Sequence, residues 1–198
     1  MALAYGLQKS PISQRLAHII LRLIGWRTHA IRPHTSRYVI IGAPHTSNWD
    51  FGLMLLLMAA EQLPIRFMGK DSLFRGPLGP LMRSLGGIPV NRRERTNLVD
   101  QIAAKFDEFD DLIIGIAPEG TRSKVSHWKT GFYYIALKAN VPIAMAYLDY
   151  GNKIIGVGPN FTPSGDLKAD FEIIREFYTG IVGKNPKKQG EIVLAEYV

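Results

Sequence analysis

Leu112-Ile113-Ile114-Gly115-Ile116-Ala117-Pro118-Glu119-Gly120-Thr121-Arg122 passes from an unbroken apolar run into a charged, glycine-bearing one. The run Leu112–Ile116 has no polar alternation, which describes a strand covered on both faces, as in a parallel sheet. Similar runs lie on either side: Tyr38–Ile41 ending at Gly42, Ile65–Met68, Ile88–Asn91, Pro142–Leu148 and Lys153–Val157. Helical patterns separate them, over residues 47–62, near Leu81–Leu85, from Leu98 through Ile102 and Phe106 to about Phe109, and over Gly131–Asn140. A last helix starts at a Ser164 or Asp166 cap and runs to about Val182. This alternation predicts a single α/β domain over residues 37–198, with a largely parallel central sheet flanked by helices. The polar tail Gly183–Gly190 is expected to be loose.

A chain of 198 residues suits one domain with a sizeable core. With no cysteine it has no disulfide framework, thiolate metal site or thiol nucleophile. Its 24 Lys+Arg against 17 Asp+Glu give a net charge of +7, unevenly spread. Lys9, Arg15, Arg22, Arg27, Arg32 and Arg37 precede the first acid, Asp50, whereas the remainder is nearly balanced. A localised anionic partner fits that asymmetry, and nucleic acid, a membrane surface and an acidic protein all satisfy it. Residues 11–26 read as an amphipathic helix, capped by Ser10, opened by Pro11 and closed at Gly25. Ile12, Leu16, Ile19, Ile20, Leu23 and Ile24 share one face, and Arg15, His18 and Arg22 the opposite one. Such a helix serves either as an interfacial anchor or as a packed helix with a solvated basic face. Residues 1–36 are therefore taken as an N-terminal arm. No apolar run approaches the length needed to span a bilayer, Phe51–Ala60 being the best at ten residues. Arg15, His18 and Arg22 interrupt any signal peptide, and Gly does not follow Met1 as myristoylation requires. The expectation is a protein that stays on the side of the membrane where it was made.

The chemistry gathers around His45-Thr46-Ser47-Asn48-Trp49-Asp50. His45 falls just past a strand and Asp50 in the first turn of the next helix, so a reversing loop can set the carboxylate on one imidazole nitrogen. That is the base-and-orienter pair of a serine hydrolase. The chain has no Gly-x-Ser-x-Gly elbow, and Thr46 and Ser47 suit helix caps, so a substrate hydroxyl is the natural nucleophile. Taken alone, the pair is equally a surface histidine near a helix start. Pro-His-Thr-Ser also occurs at Pro33–Ser36, but only the copy at Pro44–Ser47 has an acid placed to serve its histidine. Lys70, Arg92 at the end of the block Gly86–Arg92, and Glu119 to Arg122 each follow a strand, and a parallel sheet gathers such residues at its carboxyl edge. Arg92 and Arg122 offer forked donors suited to phosphate, and Gly120 allows close backbone approach. The acids show no metal-ligand spacing.

Four blocks in order, from Ile41 to Ala146, resemble the glycerolipid acyltransferase family, typified by lysophosphatidic acid (1-acylglycerol-3-phosphate) acyltransferases. They are His45-x-x-x-x-Asp50, Gly86 to Arg92, Glu119-Gly120-Thr121-Arg122, and Val141-Pro142-Ile143. Pro89, Ala117 and Met145 depart from the residues usual in these blocks and are expected to shape the acceptor pocket. The resemblance implies an acyltransferase of phospholipid biosynthesis in which His45 is the general base and Asp50 its orienter. It implies that Arg92, Glu119, Gly120, Thr121 and Arg122 bind the acceptor's phosphoglycerol portion, and Lys70 joins them by position. The co-substrate is an acyl-CoA or acyl carrier protein thioester, with no cofactor or metal. The expected partner is a membrane surface with anionic lipids, bound peripherally on its cytoplasmic face, and not nucleic acid, for which only the pI of about 9.7 speaks. Alternatives are another lysolipid, a small hydroxyl or amine acceptor, or an inactive lipid-binding module. Phe51–Ala60 reads as core or as the lining of an acyl tunnel.

Overall fold

The computed structural model describes residues 10–90 and 98–195. Seven strands among them form one sheet in the order β1-β7-β6-β2-β5-β3-β4. Its centre is β2 (Arg37–Ala43), paired in parallel with β5 (Leu112–Ile116) on one side and β6 (Ile143–Asp149) on the other. Beyond β5, β3 (Ile65–Lys70) and β4 (Gly87–Val90) continue in parallel. Five strands thus deliver their carboxyl ends to one edge. A short turn after β6 returns the chain as β7 (Ile154–Phe161), antiparallel to β6, and β1 (Arg27–Ala30) runs parallel to β7 at the sheet margin.

β2 shows why the fold is layered. Successive strand side chains point to opposite faces. Val39, Ile41 and Ala43 pack with Phe106, Phe132 and Ile174, from α4 (Leu98–Glu108), α5 (Gly131–Ala139) and α6 (Leu167–Tyr178). Tyr38 and Ile40 pack with Leu21, Leu53 and Met58, from α1 (Pro11–Leu23) and α2 (Trp49–Ala60). Between β3 and β4 lie a 3-10 turn (Asp71–Phe74) and the short α3 (Gly79–Ser84). Asp166 caps α6 by accepting from the backbone N–H groups of Lys168 and Ala169.

Several expectations meet corrections. Arg27–Ala30, placed by the sequence in the N-terminal arm, is a strand of the sheet. The tail 183–190 is not loose: Gly183 donates to Gln189 Oε1, Gln189 Nε2 donates to the Ile181 carbonyl, and Asn185 reaches Thr46. Met145 is 1% exposed within the core, so it does not line an acceptor pocket. Phe51–Ala60 needs no correction: of its two readings, core and tunnel lining, the burial of Leu53, Leu57, Met58 and Ala60 in α2 supports core.

α1 packs on α2 through Ala17 and Leu21, and Gln14 Nε2 donates to the Ala60 carbonyl at 3.0 Å. The start of α1 therefore meets the end of α2, and the end of α1 lies toward the sheet's carboxyl edge. The large apolar stripe faces away from the domain: Ile12 is 79% and Leu23 80% exposed, and Leu16, Ile19 and Ile24 are also exposed. No described helix is long and apolar enough to cross a membrane.

Candidate active site

Pro44 has no N–H for the ladder, so β2 stops at Ala43 and the chain turns through His45 into α2. Asp50, in the first turn of α2, reaches back over that turn. Its Oδ2 accepts from the backbone N–H groups of Thr46 and Ser47, both at 2.8 Å, and lies 3.2 Å from His45 Nδ1. Ser47 Oγ in turn accepts from the Trp49 N–H at 3.2 Å. This is the reciprocal logic of a capping box, so one carboxylate both starts the helix and orients the histidine. Oδ1 accepts from the Tyr150 hydroxyl at 2.7 Å. Asp50 is 2% exposed, and burial by itself would raise its pKa. The hydrogen bonds from His45, Tyr150, Ser47 and Thr46 outweigh burial and hold it below the ordinary 3.8. Asp50 is therefore a fixed anion at neutral pH.

The His45 side chain keeps 30% of its surface exposed, and its Nε2 makes no hydrogen bond with the described residues. With Nδ1 turned to a carboxylate, Nε2 is the nitrogen that presents a lone pair to an incoming hydroxyl. The neighbouring strands support this loop from both sides. From β5, Glu119 accepts the His45 backbone N–H on Oε2 at 2.6 Å. Glu119 is 4% exposed and its pKa is raised above 4.5, because burial outweighs the favourable contacts to His45. From β6, the next residue, Tyr150, holds Asp50. From the tail, the Asn185 N–H donates to Thr46 Oγ1 at 3.1 Å and Asn185 Nδ2 to the Thr46 carbonyl at 2.9 Å. Lys184 sets its ammonium 4.7 Å from the centre of the exposed Trp49 ring, a cation–π contact at the head of α2.

The residues expected at the sheet edge fall into three groups. His45, Asp50 and Glu119 are directly bonded. Glu119 thereby turns inward to position His45, whereas the sequence suggested substrate contact. Arg122, exposed, donates from Nη1 to Asn48 Oδ1 and so stands beside the His45 loop. Gly120 takes φ +67, a left-handed conformation suited to glycine, with the Lys129 side chain lying against it. Thr121 is exposed and accepts the Ser123 N–H. Lys70 ends β3, two strands from β2 and hence about 10 Å along the edge, outside the bonded cluster. Arg92 lies outside the described residues. Tyr150, Asn185 and Lys129 were missed from sequence. Tyr150 lies two residues past the predicted strand Pro142–Leu148, as Lys70 lies two past Ile65–Met68, while Asn185 and Lys129 carry no local signal.

The acyltransferase family profile matches residues 27–148, more than half of the chain. The human 1-acyl-sn-glycerol-3-phosphate acyltransferase beta is 28% identical over 142 residues, covering 69% of this chain. The chain spans about half the length of that curated relative, 50% of it being matched. The fold is similar to the crystal structure of the 1-acyl-sn-glycerophosphate (LPA) acyltransferase PlsC from Thermotoga maritima. The TM-score is 0.57 and the identity 17%, over 84% of this chain and 76% of that one.

Proposed function

The chain belongs to the acyltransferase family, and from that premise we propose that it moves a fatty acyl group from a thioester to the hydroxyl of a lysophospholipid. The donor is acyl-CoA or acyl carrier protein, and the acceptor is 1-acylglycerol-3-phosphate, the acceptor class in the name of the human relative. The observation that carries this reading is the His45–Asp50 pair, with Nδ1 on a buried carboxylate and Nε2 unbonded.

His45 Nε2 takes the proton of the acceptor hydroxyl as its oxygen bonds to the thioester carbonyl carbon. The imidazolium so formed is stabilised by Asp50. The tetrahedral intermediate collapses with cleavage of the C–S bond, and the departing sulfur takes the proton from His45, leaving ester, free thiol and neutral imidazole. Arg122, with Lys70 farther along the same edge, suits the acceptor's phosphate, Arg92 joins them on its place in the sequence motif alone, and Lys129 supplies a further cation beside Gly120. Glu119 holds the His45 backbone.

An acceptor in a bilayer asks for a protein that docks on one. The outward stripe Ile12, Leu16, Ile19, Leu23 and Ile24, with Arg15 and Arg22 exposed on the same helix, suits insertion at the level of anionic headgroups. We assign α1 this role, with peripheral attachment at the cytoplasmic face. The test is a panel of acyl thioesters and lysolipids with purified protein. Acceptor-dependent release of free thiol, lost in His45→Ala, is the expected result, and no His45-dependent release with any pair refutes the assignment.

A further inference from the structure

Asp50 divides its two oxygens between different neighbours. Oδ2 serves His45 Nδ1 and the Thr46 and Ser47 N–H groups, whereas Oδ1 has the Tyr150 hydroxyl. Donors on one oxygen fix where that oxygen sits. A donor on the second fixes the plane of the carboxylate, and with it the direction of the lone pair offered to Nδ1. The His45 contact is the longest of the four, at 3.2 Å, and so the one most exposed to a change of that plane.

Tyr150 is itself held from three sides. It follows β6, the neighbour of β2, so it emerges at the same sheet edge as His45. Its N–H donates to the Val182 carbonyl at 2.9 Å, from the segment leading into the C-terminal tail. Its ring meets Trp26 edge to face, with centroids 4.8 Å apart and planes at 87°. Trp26 is 9% exposed and donates its backbone N–H to the Leu21 carbonyl of α1 at 2.7 Å. Burial, together with the Asp50 charge, pushes Tyr150 ionisation well above the ordinary range, so its hydroxyl stays a donor. A contiguous path thus runs from the end of α1 through Trp26 and Tyr150 to Asp50 and His45. The family match ends at residue 148 and assigns Tyr150 nothing.

We propose that Tyr150 is a positioning residue for the His45–Asp50 pair: its hydroxyl sets the plane of the Asp50 carboxylate, and Trp26, at the end of the N-terminal helix, seats its ring. The proposal rests on His45 being the general base.

The experiment measures kcat and KM of the full chain for thioester and acceptor in Tyr150→Phe, Asp50→Asn and the double variant, with unfolding midpoints alongside. Phenylalanine keeps the ring against Trp26 and removes only the hydroxyl. Tyr150→Phe lowers kcat about tenfold with KM nearly unchanged, as fits a lost hydrogen bond to a charged group. In the Asp50→Asn background the same change costs less than about twofold, because the negative charge that the Tyr150 hydroxyl aims at His45 is gone. Trp26→Leu, which leaves the hydroxyl but unseats the ring, lowers kcat without moving KM. Wild-type kcat in Tyr150→Phe overturns the proposal, as does an equal loss in the Asp50→Asn background or an effect on KM alone. An unchanged kcat in Trp26→Leu overturns the part given to Trp26. His45→Ala run in parallel separates the two failures. A crippled His45→Ala beside an unaffected Tyr150→Phe removes the proposal alone, whereas near-wild-type turnover in His45→Ala removes the general-base reading and the proposal with it.

Discussion

Asp50→Asn tests whether the chemistry uses the charge of Asp50 or only its shape. Asparagine can keep its carbonyl oxygen where Oδ2 accepts from Thr46, Ser47 and His45, and turn its amide toward Tyr150, whose hydroxyl can accept as well as donate. The fold is thus nearly preserved and the negative charge lost. At 3.2 Å and an effective dielectric of about 20, an imidazolium and a carboxylate attract by about 5 kcal/mol. The His45 side chain is 30% exposed, and screening by water cuts this to about 2–3 kcal/mol, or about a 30- to 150-fold fall in kcat. Asp50→Ala differs in kind. It strips partners from the N–H groups of the buried Thr46 and of Ser47, at about 1–3 kcal/mol for each donor left buried, so stability falls with activity. Steady-state thiol release with thermal unfolding of both variants is the assay. Asp50→Asn turnover within about threefold of wild type would refute the charge argument, and an Asp50→Ala protein as stable as Asp50→Asn would refute the account of the loop.

Glu119 gives a pH prediction of opposite sign to Asp50. Its folded pKa is raised above 4.5, so the folded state binds the proton more tightly, and stability from this group is lost as pH rises from 4.5 through the raised value. Denaturant titration at pH 4 and pH 7 should show Glu119→Gln gaining relative to wild type at the higher pH. The Asp50 contribution, from a lowered pKa, is present above 3.8 and lost as pH falls through the folded value. Asn185→Ala leaves the Thr46 carbonyl without its side-chain donor and should cost about 1–2 kcal/mol in unfolding free energy while loosening the His45 loop. Replacing Leu16, Ile19 and Leu23 by serine touches exposed positions only, so the unfolding midpoint should hold. Burial of each in lipid is worth about 1.5–3 kcal/mol, so vesicle flotation should fall at least about a hundredfold. Unchanged flotation would place the docking surface elsewhere, with the exposed Leu73, Leu78 and Leu81 after β3 the next to replace.

The sheet's middle was legible because its signal is local. β5 sends Leu112 and Ile114 into the core on one face of the sheet and Ile113 into the core on the other, so both faces are covered and Leu112–Ile116 reads as continuous apolar sequence. The His45–Asp50 spacing was legible for the same reason, since a helix start and a capping acid are set within six residues. β1 was not, because Arg27-Thr28-His29-Ala30 carries no apolar run and is a strand only through pairing with β7, far along the chain. The periodicity of α1 revealed its apolar stripe but not what the stripe faces. Ala17 and Leu21 are the packed side, and the larger residues point out. The tail looked loose by composition, yet it is held by bonds from Asn185 to Thr46, 139 residues away. Tyr150 follows a strand that the sequence reveals, but its partnership with Asp50 is set by β6 lying beside β2.

The central claim is that His45 removes the proton of an acceptor hydroxyl while Asp50 holds it. The measurement closest to that claim is acceptor-dependent thiol release, matched mole for mole to new ester, by wild type and His45→Ala at equal unfolding midpoints. His45→Ala should lose about 100- to 10,000-fold in kcat, the range of general-base assistance. Turnover in His45→Ala within about tenfold of wild type would contradict it.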